Sequence, residues 1–126
     1  MGIFIHTVRV KDKAPDTTGD VIIINGDPYY YDSLSTTEEN MSISYSTMMD
    51  LNSYIEEIAE GDEFQEYMNT NTCEGELNHK DCCIVLKDFE KYVESIENQP
   101  DINWAYKGIM NLIKIAVEKK GEVLFR

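Results

Sequence analysis

The spacing of apolar positions changes along this chain, and each change marks an element. Residues 2–10, GIFIHTVRV, are β-branched and aromatic with no internal Gly or Pro, which predicts a strand. KDKAPDTTGD is turn chemistry throughout, and VIIING (21–26) is a short continuous apolar run that predicts a buried second strand. If the two strands pair, the connection between them makes a long hairpin. GDPYYYDSLSTTEEN (26–40) reads as an exposed loop. In an extended chain, neighbouring rings of Tyr29, Tyr30 and Tyr31 would face opposite ways, so at least one is expected in solvent. In MSISY (41–45), Met41, Ile43 and Tyr45 alternate with serines, the pattern of a half-buried strand.

The period then becomes helical. Thr47 to Ala59 is predicted as a first helix, with Thr47 and Asp50 in capping-box positions and Leu51, Tyr54 or Ile55, and Ile58 as its apolar stripe. Gly61 supplies a stop. DEFQEYMNTNT (62–72) alternates weakly enough to suggest a strand. A second helix is predicted from His79 to Ile96 on Cys82, Val85 or Leu86, Phe89, Tyr92 or Val93, and Ile96. Asn98-Gln99-Pro100 breaks it. Asp101 is the expected cap of a third helix, which carries Lys119 and Lys120 in its last turn and ends at Gly121. EVLFR (122–126) closes as a short strand. The expected order is β-β-β-α-(β)-α-α-β. That is an α+β domain spanning 1–126, with a mostly antiparallel sheet of about four to five strands covered on one face by three helices.

Composition fits a single folded domain: 126 residues, 42% hydrophobic and 28% charged. No apolar run approaches the roughly 20 residues that span a bilayer, and MGIFIHTVRV lacks the layout of a secretory signal. Three cysteines suggest reduced thiols rather than a disulfide framework, and so a cytoplasmic protein. Charge is unevenly spread. The net is −13, and no Lys or Arg lies between Lys13 and Lys80, an interval holding fifteen acids from Asp16 to Glu76. Such clustering serves solubility, or builds a potential that steers a basic partner. It argues against direct nucleic-acid binding, which needs neutralising cations.

Chemistry is most concentrated in TCEGELNHKDCC (72–83), which holds all three cysteines and one of the two histidines. Zinc would need four ligands, whereas Cys73, His79 and Cys82 offer three, and Cys82 and Cys83 project about 100° apart on a helix. A thiol nucleophile built from Cys73 and His79 would sit between Glu74 and Glu76, whose charges oppose a thiolate. The simpler reading is architectural: Gly75 turns a corner, Asn78 caps the second helix by accepting from the amide of Asp81, and Cys82 or Cys83 packs in the core. No phosphate-loop, dinucleotide-binding or nucleophile-elbow pattern occurs. No catalytic residue, metal ligand or cofactor is therefore assigned, and the protein is not expected to be an enzyme.

A short strand running into a helix at Ser44-Tyr45-Ser46, then Gly75, Leu77 and Cys82 around the start of the second helix, then Ala116, Gly121 and Leu124-Phe125-Arg126 at the end, together resemble the immunity protein 70 type of bacterial polymorphic-toxin immunity proteins. The resemblance covers roughly residues 41–126. It implies a protein that binds and neutralises a cognate toxin domain, as in contact-dependent growth inhibition, and such toxins are often nucleases with basic clefts. Family likeness does not name contact residues. The interval without cations places them at Asp27, Tyr29, Tyr30, Tyr31, Asp32, Glu38 and Glu39, then Asp62, Glu63 and Glu66, where carboxylates can take the positions of phosphates and Tyr rings give rigid contact area. The expected partner is a basic protein, with no nucleic acid and no membrane, bound by a monomer or weak homodimer. The alternatives are a generic acidic interaction domain or a Cys/His metal protein or enzyme.

Overall fold

A computed structural model describes residues 2–71 and 75–126. Its elements are β1 (Gly2–Lys13), β2 (Ile22–Ile24), β3 (Asp27–Ser33), β4 (Met41–Ser44), α1 (Tyr45–Ile58), α2 (Gln65–Thr70), β5 (Gly75–Leu77), α3 (His79–Lys91), a 3-10 turn at Ser95–Asn98, α4 (Pro100–Lys119) and β6 (Glu122–Phe125). The class is α+β as expected, with six strands and four helices in place of four to five and three. All strand pairs are antiparallel. The sheet runs β2-β3-β1-β6-β5, and β4 shares the β3 side of β1.

β1 holds the sheet together. Its first half pairs with β4 (Ile3 opposite Ile43) and its second half with β3 (Val10 opposite Tyr31), while β6 takes the other edge (Ile5 opposite Phe125). Between β3 and β4 the chain leaves the ladder. The amides of Leu34 and Ser35 both donate to the carbonyl of Thr7, at 2.8 and 3.3 Å. The Thr7 amide donates to Ser35 Oγ (2.9 Å), and its hydroxyl donates to the Leu112 carbonyl on α4 (2.8 Å). This buried polar knot satisfies the groups that the break exposes.

Alternation sorts the side chains of the sheet. Ile3, Ile5, Val123 and Phe125 join the helices in the main core, whereas Val8 and Leu124 face away and are sealed by Ile22 of β2. The helical layer is locked by aromatic edges. Phe89 of α3 lies 4.7 Å from Tyr106, 5.1 Å from Tyr67 and 5.2 Å from Phe64 between ring centroids. The Tyr106 hydroxyl donates to the Phe89 carbonyl at 2.6 Å.

Several expectations change here for identifiable reasons. The 21–26 strand does not pair with β1. Asn25 (φ 52°) and Gly26 (φ 85°) are both left-handed, making a two-residue hairpin turn that folds β2 onto β3 and turns the expected 26–40 loop into a strand over Asp27–Ser33. The expected weak strand at 62–72 contains helix α2. Phe64 and Tyr67 are both fully buried, and a spacing of three puts them on one face only if the chain coils. Helix α1 begins at Tyr45, and its cap is Ser44, whose hydroxyl accepts from the Thr47 amide at 3.1 Å. α3 stops at Lys91, with Ile96 buried from the 3-10 turn instead. Gln99 occupies the cap position of α4, Pro100 its first turn, and Lys120 rather than Gly121 takes the left-handed conformation at its end.

Gly75 is not a left-handed corner but part of β5. A Cβ there would fall within 2.9 Å of the Thr70 carbonyl carbon, backbone that cannot swing aside. Gly75→Ala is therefore expected to lower the unfolding free energy by about 1–3 kcal/mol. Urea denaturation of the two proteins checks this, and an unchanged midpoint would contradict it.

Candidate functional site

The long interval without cations does not stay isolated once the chain folds. β1 carries Arg9, Lys11 and Lys13, and its pairing with β3 brings them alongside the acids of that interval. Lys11 Nζ lies 3.8 Å from Asp32 and Lys13 Nζ 3.5 Å from Asp27. Both pairs are solvent-exposed and worth little to stability, but they cancel local charge. In β3 the tyrosines alternate. Tyr30 is exposed, while Tyr29 and Tyr31 are half-buried beside Val8, Ile22 and Leu124, with Tyr31 edge-on to His6 at 6.2 Å.

The other expected contact residues lie elsewhere. Glu38 is exposed on the β3–β4 connection. Its neighbour Glu39 is tied into a local box, accepting from the Thr36 amide at 2.7 Å, and that bond holds its carboxyl below the usual range. Asp62 is exposed and Glu66 half-buried on α2. Glu63 is a structural clamp. It accepts from Lys91 Nζ (2.6 Å), the Tyr92 hydroxyl (2.5 Å) and the Glu60 amide (2.8 Å), and these bonds bring its carboxyl down to about 2. β3 packs against β1 and β2, whereas α2 packs against β5 and α3, so the ten residues occupy separate places.

Among the described residues, those lining a cleft between α1 and the start of α4 include no cation. Asp50, Ser53, Tyr54 and Glu57 recur at helical spacing on α1, and they face Gln99, Asp101 and Ile102 across a depression of about 280 Å³. Large apolar side chains stand open beside it: Tyr45 (50% exposed) and Met49 (43%) one turn apart on α1, and Trp104 (52%) one turn beyond Asp101 on α4. Sequence reasoning missed this site because the 14–79 window excludes Asp101 and Trp104. The available signal was that Tyr45 and Met49 fall off the apolar stripe of α1.

A second depression, about 330 Å³, lies on the sheet face away from the helices. β2 curls over until its free edge faces β5 and β6, and Arg126 Nη2 reaches the Val21 carbonyl at 3.5 Å. Its lining includes Glu76, and Glu122 sits on the same face one register step away. Among the described residues Glu122 Oε2 is buried without a donor. Burial, then the adjacent Glu76 carboxylate, push Glu122 up to about 7.

The thiols divide sharply. Cys82 is fully buried and donates to the Leu77 carbonyl at 3.3 Å, and burial pushes its thiol up to about 12. The expected cap is present, with Asn78 Oδ1 accepting from the Asp81 amide at 2.9 Å. Cys73 and Glu74 lie outside the described residues. Among the described residues no three His, Cys, Asp or Glu side chains converge as metal ligands would, and no helix is long and apolar enough to cross a membrane. Compared with protein-family models, curated proteins and solved structures, the chain matches none.

Glu122 gives a pH test. Its folded value lies above the ordinary 4.5, so its ionisation opposes folding. Stability is fully retained below the ordinary carboxylate range and declines as pH rises through about 7. Glu122→Gln should raise the unfolding free energy by about 1 kcal/mol at pH 8, after discounting for solvent screening, and by little at pH 4. Urea denaturation at the two pH values reads this, and an equal gain at both would contradict the assignment.

Proposed function

We propose that this protein is a proteinaceous inhibitor, an immunity protein that binds and neutralises a toxin domain with a basic surface, and that it does so in the cytoplasm. The observation that carries this reading is the α1–α4 cleft: carboxylates of Asp50, Glu57 and Asp101 with no cation among its lining residues, beside exposed Tyr45, Met49 and Trp104. Each part has a separate job in binding. Clustered carboxylates raise the rate at which a basic surface is met and set its orientation. Large rings and a Met side chain then release water over the contact centre, where most binding energy resides. The resemblance over residues 41–126 supports the same role, since α1 opens with its Ser44-Tyr45-Ser46.

On this reading β3 and the β3–β4 connection extend the acidic surface through Tyr30 and Glu38, which are exposed and unengaged by the bonds described above, as is Asp62 ahead of α2. Glu63 stays on the chain's own α3.

The test is co-expression with the toxin domain encoded by the genomic neighbour. Growth should be restored, and the purified pair should associate more slowly as salt rises, because exposed charges are screened beyond roughly 8–10 Å. Reversing Asp50, Glu57 and Asp101 to Lys should cut the association rate by about tenfold or more. Reversal of Asp27 and Asp32, already paired with β1 lysines, should change it far less. Failure of rescue with both proteins expressed and folded would overturn the inhibitor reading. Equal effects of the two reversals would remove the cleft from it.

A further inference from the structure

His79 and Cys83 sit four residues apart at the start of α3, on the same side of the helix. His79 Nε2 lies 3.7 Å from Cys83 Sγ, and its Nδ1 lies 3.2 Å from the carbonyl oxygen of Ala116 in the last turn of α4. A carbonyl oxygen can only accept, so Nδ1 must carry the ring proton for that contact to be a hydrogen bond. The neutral ring then presents its Nε2 lone pair to the thiol, and Cys83 S–H is the donor. A nucleophile, a base within reach of its proton, and a third group that fixes the base are the three parts of an activated thiol. The spacing was present in the sequence, but His79 reads there as a partner for Cys73 or Cys82. Coiling of the chain from residue 79 selects Cys83 instead.

We infer that Cys83 is a nucleophilic thiol served by His79, and that it is a site of reversible oxidation by hydrogen peroxide. The proton of Cys83 passes to His79 Nε2 as sulfur attacks one peroxide oxygen. The S–O bond forms, the O–O bond breaks, and the departing hydroxide takes the proton back from the imidazolium to leave as water. Sulfur is oxidised by two electrons to sulfenic acid, and the peroxide is reduced. Cys83 is half-buried, which admits a small oxidant more readily than a bulky disulfide. Cys82 next to it is the internal contrast, a buried thiol spent on the Leu77 carbonyl.

The experiment treats the reduced full-length chain with hydrogen peroxide in the presence of dimedone, and maps labelled cysteines by peptide mass spectrometry. A parallel reaction uses iodoacetamide. Cys83 should label at least about tenfold faster than Cys82 and faster than free cysteine under the same conditions, and His79→Gln should slow it by about tenfold or more. Nitrogen NMR of the wild-type ring should show a protonated Nδ1 and an unprotonated Nε2. A Cys83 rate no greater than that of free cysteine, or a ring protonated only at Nε2, would overturn the proposal. These last two readouts need no variant, so they decide the matter even if His79→Gln fails to fold. The outcome is independent of toxin binding.

Discussion

One strand bears the load of the whole arrangement. β1 is paired along both edges, and over residues 5–8 it is buried on both faces. Ile5 and Val8, three residues apart, serve separate cores on opposite sides of the sheet. A slip of one residue would exchange these faces and expose both sets at once. The break between β3 and β4 is tolerable only because Thr7 and Ser35 satisfy the backbone groups it frees, with α4 accepting the Thr7 hydroxyl. The helical layer is in turn placed by β6, whose Phe125 joins β1 to the Tyr67 ring, itself edge-on to Phe89. The hairpin that covers the other face hangs on the same strand.

That pairing also decides where charge is felt. Along the sequence, residues 14–79 look like an unbroken acidic stretch, but a strand from outside the interval is laid against part of it. β1 lysines neutralise the acids of β3, and Lys91 of α3 occupies Glu63. α1 has no such visitor within its cleft. The unopposed carboxylates there meet the first turn of α4, where Pro100 and Asp101 begin the helix without a side-chain cap. Exposed apolar side chains beside carboxylates are costly to keep in water and useful only against a partner, which is why this cleft outranks the β3 acids as a binding surface.

Much of the fold was legible. The first strand, the last strand, the apolar stripes of α1 and α3, and the Asn78 cap all follow from local pattern. What was missed required either one dipeptide or long-range context. Asn25-Gly26 is a hairpin signal in itself, and giving it full weight would have turned the tyrosine run into a strand. Phe64 and Tyr67 are a different case. Alternation and helical spacing both fit a short segment, and only the position of Phe89 and Phe125 around them decides. β5 lies beyond local reading, because its three residues pair only after β6 is in place. The candidate site was legible in kind, as acids with aromatics, but not in place. Ion pairing to β1 and the approach of α4 are tertiary facts.

The central claim, that the α1–α4 cleft is the contact surface, can be read from one atom. Trp104 is the only tryptophan in the chain and stands half in solvent one helical turn beyond Asp101, which lines the cleft. Labelled as 5-fluorotryptophan, it gives a single fluorine resonance that responds to solvent contact. On addition of the unlabelled toxin domain, the account predicts that this resonance shifts and loses its dependence on heavy water. A saturated complex that leaves both the shift and the isotope dependence of Trp104 unchanged would contradict it.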